Sequence, residues 1–404
     1  MDLVLRDTLS GTLRPVRHRP GRPVAMYVCG PTVYDVAHVG HARTYLFFDV
    51  ARRFLEAEGL RVRHVMNITD FEDKLDARAR ELGIPWRTLA RREERAFVRD
   101  LVALHIRLPH YRPRATDFVR QMVAVVRRLE RTGRVRREGD EWIYTPPHRG
   151  ARENFPTDRQ LAAHAVPEPG HPFPSAGGRA GEFMVWRLQR PPRPSWPSPW
   201  GRGIPGWHLE CFVMADRLLG IPVDLHGGGV DLIYPHHYGE NEVALELRGS
   251  PFSRLFFHTG FVVIDGAKMS KSTGVLVPIR LALDEVGPSA VRWYLLSTPP
   301  SRRHPWDLDA LHRAADEFTA VRAAIHHWLK PDAPGRDAAH RARRLAEGVR
   351  YDLAHGLATD RAWARLRSWT ARARATGGGV RPSQRDAAVA AFRSIEDRTG
   401  LELL

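Results

Sequence analysis

The sequence predicts an α/β fold: a nucleotide-binding parallel sheet, an inserted connective module and a C-terminal α-helical bundle. Three observations predict it. Near the N-terminus an apolar run, a helix with one apolar face and an alternating run follow one another, the order of a βαβ unit. Residues 140 to 205 are rich in Pro, Gly and Trp, as in RPPRPSWPSPWGRGIPG, which suits an irregular insertion. From residue 280 the pattern is mostly helical, broken near 331 to 336 and at Gly377, Gly378 and Gly379.

In chain order, VAMYV (24–28) is a buried strand stopped by Gly30 and Pro31. A helix follows from about His41, with Tyr45, Phe48, Ala51 and Leu55 on one face and Gly59 as its stop. RVRHVMNIT is the second strand. Ligands of such a unit bind beyond the carboxyl ends of the strands, where Cys29 and Thr69 fall. Residues 101 to 129 have a helical pattern, as do 206 to 219 (GWHLECFVMADRLL). PVDLHGGG is a strand running into a glycine turn and opens the second half of the nucleotide fold; FFHTGFVVIDGAKMSKS supplies strands and a loop at its end. The expected units are therefore 1–105 (first half of the nucleotide fold), 106–200 (insertion), 201–276 (second half) and 277–404 (helical region). No internal repeat and no P-loop glycine pattern is present.

The 404 residues suit two or three domains, and 43% hydrophobic content is ordinary for a globular chain. No stretch nears the roughly 18 apolar residues of a membrane span, and MDLVLRDTLSG lacks the apolar core of a secretory signal, so a cytoplasmic protein with no membrane partner is expected. A formal charge of +16 favours a polyanion such as tRNA, although the excess is arginine spread along the whole chain. Lysine is confined to Lys74, Lys268, Lys271 and Lys330, so two of these within AKMSKST stand out. The two cysteines, Cys29 and Cys211, are far apart, and no structural disulfide is expected of them.

Three constellations carry chemistry. His38-Val-Gly-His41 lies between strand and helix, where imidazoles, backbone N–H groups and the helix dipole can face a phosphate chain and Gly40 permits close approach. Lys268-Met-Ser-Lys-Ser272 is a doubly cationic loop of small residues able to close over a triphosphate. Cys29, Cys211, His236 and Glu240 form a candidate metal set: His236 and Glu240, four apart, share one helix face, and two thiolates would complete a tetrahedral zinc site. The bland alternative for the last set is two small buried thiols and a solvated acidic helix.

CGPTVYDVAHVGHARTYLFFDV, NITDFEDKL, SWPSPWGRGIPGWHLEC, DLHGGGVDLIYPHH and KMSKSTG, in this order over roughly residues 1 to 310, resemble cysteinyl-tRNA synthetase. The resemblance implies a Rossmann-like class I synthetase catalytic domain whose C-terminal part is a stem-contact and helical bundle region. It implies that His38, His41, Lys268 and Lys271 serve catalysis, that Gly30, Gly40, Asp231, Lys268, Ser270 and Lys271 bind ATP, and that Thr69 and Trp207 line the cysteine pocket. Core packing is the alternative for Trp207. Asp70 and Asp73 match acidic positions of the family, though helix capping would explain either. One Zn2+ per chain would sit on Cys29, Cys211, His236 and Glu240. The family's HHENE is HHYGENE here, so Glu242 becomes the match if Tyr238 and Gly239 are an insertion; at i+6 it would face away from His236 on a regular helix.

The implied reaction is ATP-dependent activation of L-cysteine, with Mg2+ on the triphosphate, and transfer to tRNA, in an enzyme expected to be a monomer. Past residue 310 the likeness thins, and the chain stops at RTGLELL where the family continues into an anticodon-binding domain. An acceptor-stem contact through the arginine-rich surface is the expected tRNA interaction. A relative, the mycothiol cysteine ligase, ends similarly and passes cysteine to an amino sugar; VCGPTVYD, GHARTY and ENE look more like the synthetase. A non-catalytic paralogue that binds RNA or a metabolite is the third alternative, opposed by intact HVGH and KMSKS.

Overall fold

In the computed structural model, residues 1–147, 181–264, 266–268, 276–330, 338–376 and 380–404 are described. Strands β1 (Val4–Arg6) and β2 (Leu13–Pro15) form an antiparallel pair ahead of β3 (Val24–Val28). β3 is apolar throughout and nearly all buried, as a strand covered on both faces must be. Helix α1 (Val39–Ala57) returns the chain to β4 (Val62–Met66), which lies parallel to β3. The expected α1 face is buried, with Phe48 and Ala51 fully so, and Gly59 leaves the helix at φ +81°, a conformation that disfavours a side chain.

Helices α2 (Asp73–Glu81) and α3 (Trp86–Ala103) come next, and here the structure departs from the sequence reading. Residues 101 to 129 are not one helical run. Leu104 and His105 turn out of the helix, residues 106–114 are non-helical, and Tyr111 and Pro113 accept from Met66 and Ile68, so the segment flanks β4. Pro109 and Pro113 enforce this, because a prolyl ring lacks the N–H and clashes with the preceding turn. Helix resumes as α4 (Val119–Glu130).

The described part of the stretch expected to be irregular carries three strands, β6 (Glu141–Tyr144), β7 (Phe183–Leu188) and β8 (Gly203–Pro205), which with β5 (Val135–Glu138) just ahead of it form a four-stranded antiparallel meander. Its prolines occupy the connection before β8 and the strand's last residue rather than preventing pairing. The rest of the insertion, residues 148–180, lies outside the described residues.

Helix α5 (Trp207–Leu218) leads to β9 (Leu225–Gly229), parallel to β3 on the side away from β4. The glycines expected to turn are strand. Gly227 lies so close to its neighbours that a Cβ would fall 1.8 Å from the Phe257 carbonyl oxygen and 2.7 Å from Phe48, so the glycine serves close approach. After a 3-10 turn and a wide turn over Ile233–His237, α6 (Tyr238–Arg248) and β10 (Phe256–Thr259) complete a parallel sheet of order β10-β9-β3-β4. Successive strands flank β3 on opposite sides, which opens a crevice at its carboxyl end. β11 (Val262–Ile264) pairs with the two-residue β12 (Ala267–Lys268); residues 269–275, including Ser270, Lys271 and Ser272, lie outside the described residues.

The remainder is helical: α7 (Ile279–Val286), α8 (Pro288–Leu295), the short β13 (His304–Pro305), α9 (Leu308–Trp328), α10 (Ala338–Ala354), α11 (Thr359–Thr376) and α12 (Pro382–Thr399). Both expected breaks, near 331 to 336 and at Gly377 to Gly379, lie outside the described residues. Trp293 and Trp363 stack with centroids 4.9 Å apart and planes 1° off parallel, while Trp369 and Phe392 meet Trp328 edge-on. Buried Arg292 joins this region to the sheet domain: Nη2 reaches Asp49 Oδ2 of α1 at 2.6 Å, and the guanidinium also donates to the carbonyls of Leu104 and Thr399.

Candidate active site and metal centre

The carboxyl ends of β3 and β9 place Cys29 and Gly227–Gly229 side by side, and α5 and α6 pack over that edge. Cys29 and Cys211 Sγ atoms are 3.6 Å apart, and Cys29 Sγ is 3.7 Å from Glu240 Oε1. Glu240 bonds His236 Nε2 through Oε1 at 2.9 Å and His226 Nε2 through Oε2 at 2.8 Å. Each of these residues is at least 96% buried. One donor atom from each of Cys29, Cys211, His236 and Glu240 lies within 4.8 Å of the others. Glu242 is also buried but belongs to no such donor group among the described residues. The wide turn over Ile233–His237 runs straight into α6, so positions 236 and 240 keep helical i, i+4 spacing across HHYGE.

These residues fit zinc. A Zn–S bond of about 2.3 Å gives a tetrahedral S···S edge of about 3.8 Å, close to the observed separation, whereas a disulfide needs about 2 Å. Two sulfurs, an imidazole nitrogen and a carboxylate oxygen are donors zinc accepts. Burial would push the Glu240 carboxyl up, yet His236, His226 and His237 hold it well below the usual carboxylate range. Burial would lower His236, but Glu240 and Cys211 raise it to about 10. Cys29 is pushed well above an ordinary thiol by burial and by Cys211.

Sequence reading missed the histidines around this cluster. His226 Nδ1 lies 3.0 Å from the Tyr27 carbonyl, His237 bridges Cys29 Sγ (3.2 Å) and His258 Nε2 (2.7 Å), and His208 meets His236 at 3.1 Å. Cys29, His226, His237 and Glu240 form a second donor group that shares two members with the first. The signal was present in LHGGG, HH and FFHTG: a histidine at the carboxyl end of each of two predicted strands.

His38 and His41 sit at the N-terminus of α1. His38 Nδ1 accepts from the Gly40 N–H at 3.1 Å, His41 Nδ1 accepts from the His38 N–H at 3.4 Å, and the rings stack 3.9 Å apart. The motif is thus a reciprocal helix cap built from imidazoles. A Cβ on Gly40 would lie 2.9 Å from the His38 ring, so the glycine makes room for this cap. Gly30 donates to Asn67 Oδ1 at 2.8 Å. Thr69, fully buried, accepts from Asn67 and donates to Glu210 Oε2 at 3.3 Å. Trp207 is half-buried and stacks on His236 with centroids 3.9 Å apart and planes 18° off parallel, at the edge of the metal set. Asp70 bonds the Thr116 N–H and hydroxyl, Asp73 pairs with Arg187 and Arg193, and Asp231 is half-buried just past β9. Lys268 pairs in the backbone with Val263.

The family profile described as the class I (C) tRNA synthetase catalytic domain matches residues 16–314. The chain belongs to the cysteinyl-tRNA synthetase family. Relatives in this family named Cysteine--tRNA ligase include that of Aeropyrum pernix, 38% identical over 80% of this chain and 67% of its own length, and that of Paramagnetospirillum magneticum, 38% identical over 83% and 72%. The Pyrococcus furiosus protein is 42% identical over 68% of this chain and 57% of its own length. The fold is that of other class I synthetases. A Mycobacterium tuberculosis methionyl-tRNA synthetase bound by methionyl-adenylate superposes with TM-score 0.61 at 18% identity, covering 93% of this chain and 90% of its own. The Agrobacterium radiobacter K84 agnB2 LeuRS, in a ternary complex with tRNA and LeuAMS, gives 0.67 at 13% identity, covering 95% and 84%. Among the described residues no helix is long and apolar enough to cross a membrane.

Proposed function

We propose that the chain is a cysteine--tRNA ligase: it joins L-cysteine to AMP at the expense of ATP, releases pyrophosphate, and passes the cysteinyl group to tRNA(Cys). The observation that carries this reading is the buried Cys29–Cys211–His236–Glu240 set on the same sheet edge that leads into the His38–His41 helix cap. A thiol-seeking site and an anion-seeking helix end therefore share one crevice.

Activation needs no covalent enzyme intermediate. The cysteine carboxylate attacks the α-phosphate of ATP and pyrophosphate departs, so the protein's task is to align the two and offset the negative charge that spreads over the phosphate oxygens. His38 and His41, with the α1 N–H groups, serve one side of the phosphate chain; Lys268 and Lys271 serve the other, with Mg2+ as the usual companion of the triphosphate. Gly30, Gly40, Asp231 and Ser270 complete the ATP contacts, and Thr69 and Trp207 line the cysteine pocket. Shape alone separates cysteine from serine by only about 1 to 3 kcal/mol. One zinc per chain, held by Cys29, Cys211, His236 and Glu240, would supply a soft Lewis acid that prefers a thiolate to a hydroxyl. Trp207, flat against His236, fixes that ring's plane, and His226 secures the second oxygen of Glu240. The enzyme acts as a monomer in the cytoplasm, where ATP and tRNA are found.

The test is cysteine-dependent exchange of pyrophosphate into ATP, followed by offering tRNA(Cys) or an amino sugar as acceptor. Exchange with cysteine but not serine, and cysteinylation of the tRNA alone, is the expected result; cysteinylation of the amino sugar alone would replace the acceptor, and no exchange would remove the enzymatic reading.

A further inference from the structure

Some arginines of this chain are matched by acids, and many others are not. On α1, Arg52 pairs with Glu56 and Arg53 with Asp49, and in the helical region Arg365 pairs with Asp352 and Arg398 with Glu58. One concave surface gathers several of the unmatched ones. Between α3 and the extended residues 109–114 lies a groove of about 380 Å³ lined by Arg91, Glu94, Arg95, Val98, Arg99, Arg112 and Arg114. Arg91, Arg95, Arg99 and Arg112 are exposed, and among the described residues no acidic side chain lies within ion-pair distance of them. Glu94 is consumed by a two-pronged pair with Arg114, at 2.7 and 3.1 Å. The other acids of α3, Glu93 and Asp100, are buried and pair with Arg92 and Arg280 outside the groove.

Arg91, Arg95 and Arg99 stand at i, i+4 and i+8, so a rise of 1.5 Å per residue sets them about 6 Å apart along one helix face. That repeat is close to the spacing of successive phosphates on a nucleic-acid strand. A concave wall of a single charge sign focuses the field on whatever lies between its sides. The volume is that of on the order of ten waters, enough for a phosphodiester or two and too small for a duplex to enter. The groove also adjoins the proposed site. Arg114 faces Ile68 across a parallel bridge, and Ile68 precedes Thr69, so one strand spacing of about 4.8 Å separates the groove's second wall from the backbone that carries the expected cysteine pocket.

We propose that this groove grips the sugar-phosphate backbone of one strand of the tRNA acceptor, with Arg91, Arg95, Arg99 and Arg112 as its phosphate contacts. The inference rests on the tRNA reading above and adds the surface that delivers the acceptor. These arginines touch neither ATP nor cysteine, so their loss leaves cysteine-dependent pyrophosphate exchange unchanged.

The test measures binding of transcribed tRNA(Cys) to the zinc-loaded full chain across a salt series, for wild type, R91A/R95A/R99A, and R343A/R344A/R385A, which removes three exposed arginines of the helical region. Losing three strand contacts reduces the slope of log affinity against log salt by about 2 and weakens binding at least tenfold, while R91K/R95K/R99K retains most of the slope. The inference is overturned if R91A/R95A/R99A binds with the wild-type affinity and slope, or if the helical-region variant loses as much. Absence of tRNA binding by the wild-type chain would instead defeat the tRNA reading on which the inference rests.

Discussion

The crevice at the carboxyl edge of the parallel sheet and the C-terminal helical region are both tightly buried, but with different mixtures of groups. In the crevice the central buried groups are polar: Cys29, Cys211, His226, His236, His237 and Glu240 satisfy one another, with Tyr27, Phe252 and Phe256 packed around His226 and half-buried Trp207 stacked on His236. In the helical region rings and aliphatic chains dominate, Trp293 on Trp363 and Trp328 against Trp369 and Phe392, with buried Arg292 beside them. Polar groups kept out of water are costly unless each finds its partner, so the first arrangement persists where chemistry needs those groups, while the second is a solution for stability alone.

The sharpest way to break that contrast is Cys211→Ser. It should reduce cysteine-dependent pyrophosphate exchange by about a thousandfold or more, a loss of about 4 kcal/mol, and remove zinc from the purified protein as read by elemental analysis. Full exchange in a zinc-free variant would dismantle the metal assignment. The matching change on the other side is Trp363→Ala. It should lower unfolding free energy by about 3 to 5 kcal/mol, measured by urea titration, with the KM for cysteine unchanged in the folded fraction. A shifted KM would mean that the bundle does more than support.

A smaller effect separates two duties at one residue. Replacing His38 with Ala removes the acceptor for the Gly40 N–H and should cost about 1 kcal/mol of stability, along with about a hundredfold in exchange rate. Asn is a good helix cap but lacks the imidazole, so His38→Asn should restore the melting temperature and leave the rate low. If Asn restores both, the ring acts only as a cap.

Much of this was legible in the chain itself. The βαβ unit showed because β3 is a continuous apolar run and α1 repeats its apolar face with helical period, and both patterns follow from burial. Spacing linked His236 only to Glu240, and it was the resemblance to the synthetase family that gathered Cys29, Cys211, His236 and Glu240 into one set, which the structure brings within 4.8 Å of one another. What stayed hidden depends on neighbours distant in sequence. The glycines after Leu225 resemble a turn until Phe257 and Phe48 are found pressing on Gly227. His226, His237 and His258 come from separate segments, and only strand order brings them together. The 101 to 129 stretch was misread because apolar spacing outweighed Pro109 and Pro113, whose ring geometry decides the backbone there. The antiparallel meander was masked by proline and glycine content, since composition does not reveal which prolines fall at strand ends.

Arg292 links the two regions, and its placement has a bearing on any attempt to reshape this molecule. Its guanidinium spans from Asp49, on the helix that begins with the His38 cap, to the carbonyl of Thr399 in the last helix. The bundle is therefore not an interchangeable cassette. Trimming or grafting at Thr399 would leave a buried cation with Asp49 and the Leu104 carbonyl but without its third acceptor, at a cost in stability to both regions.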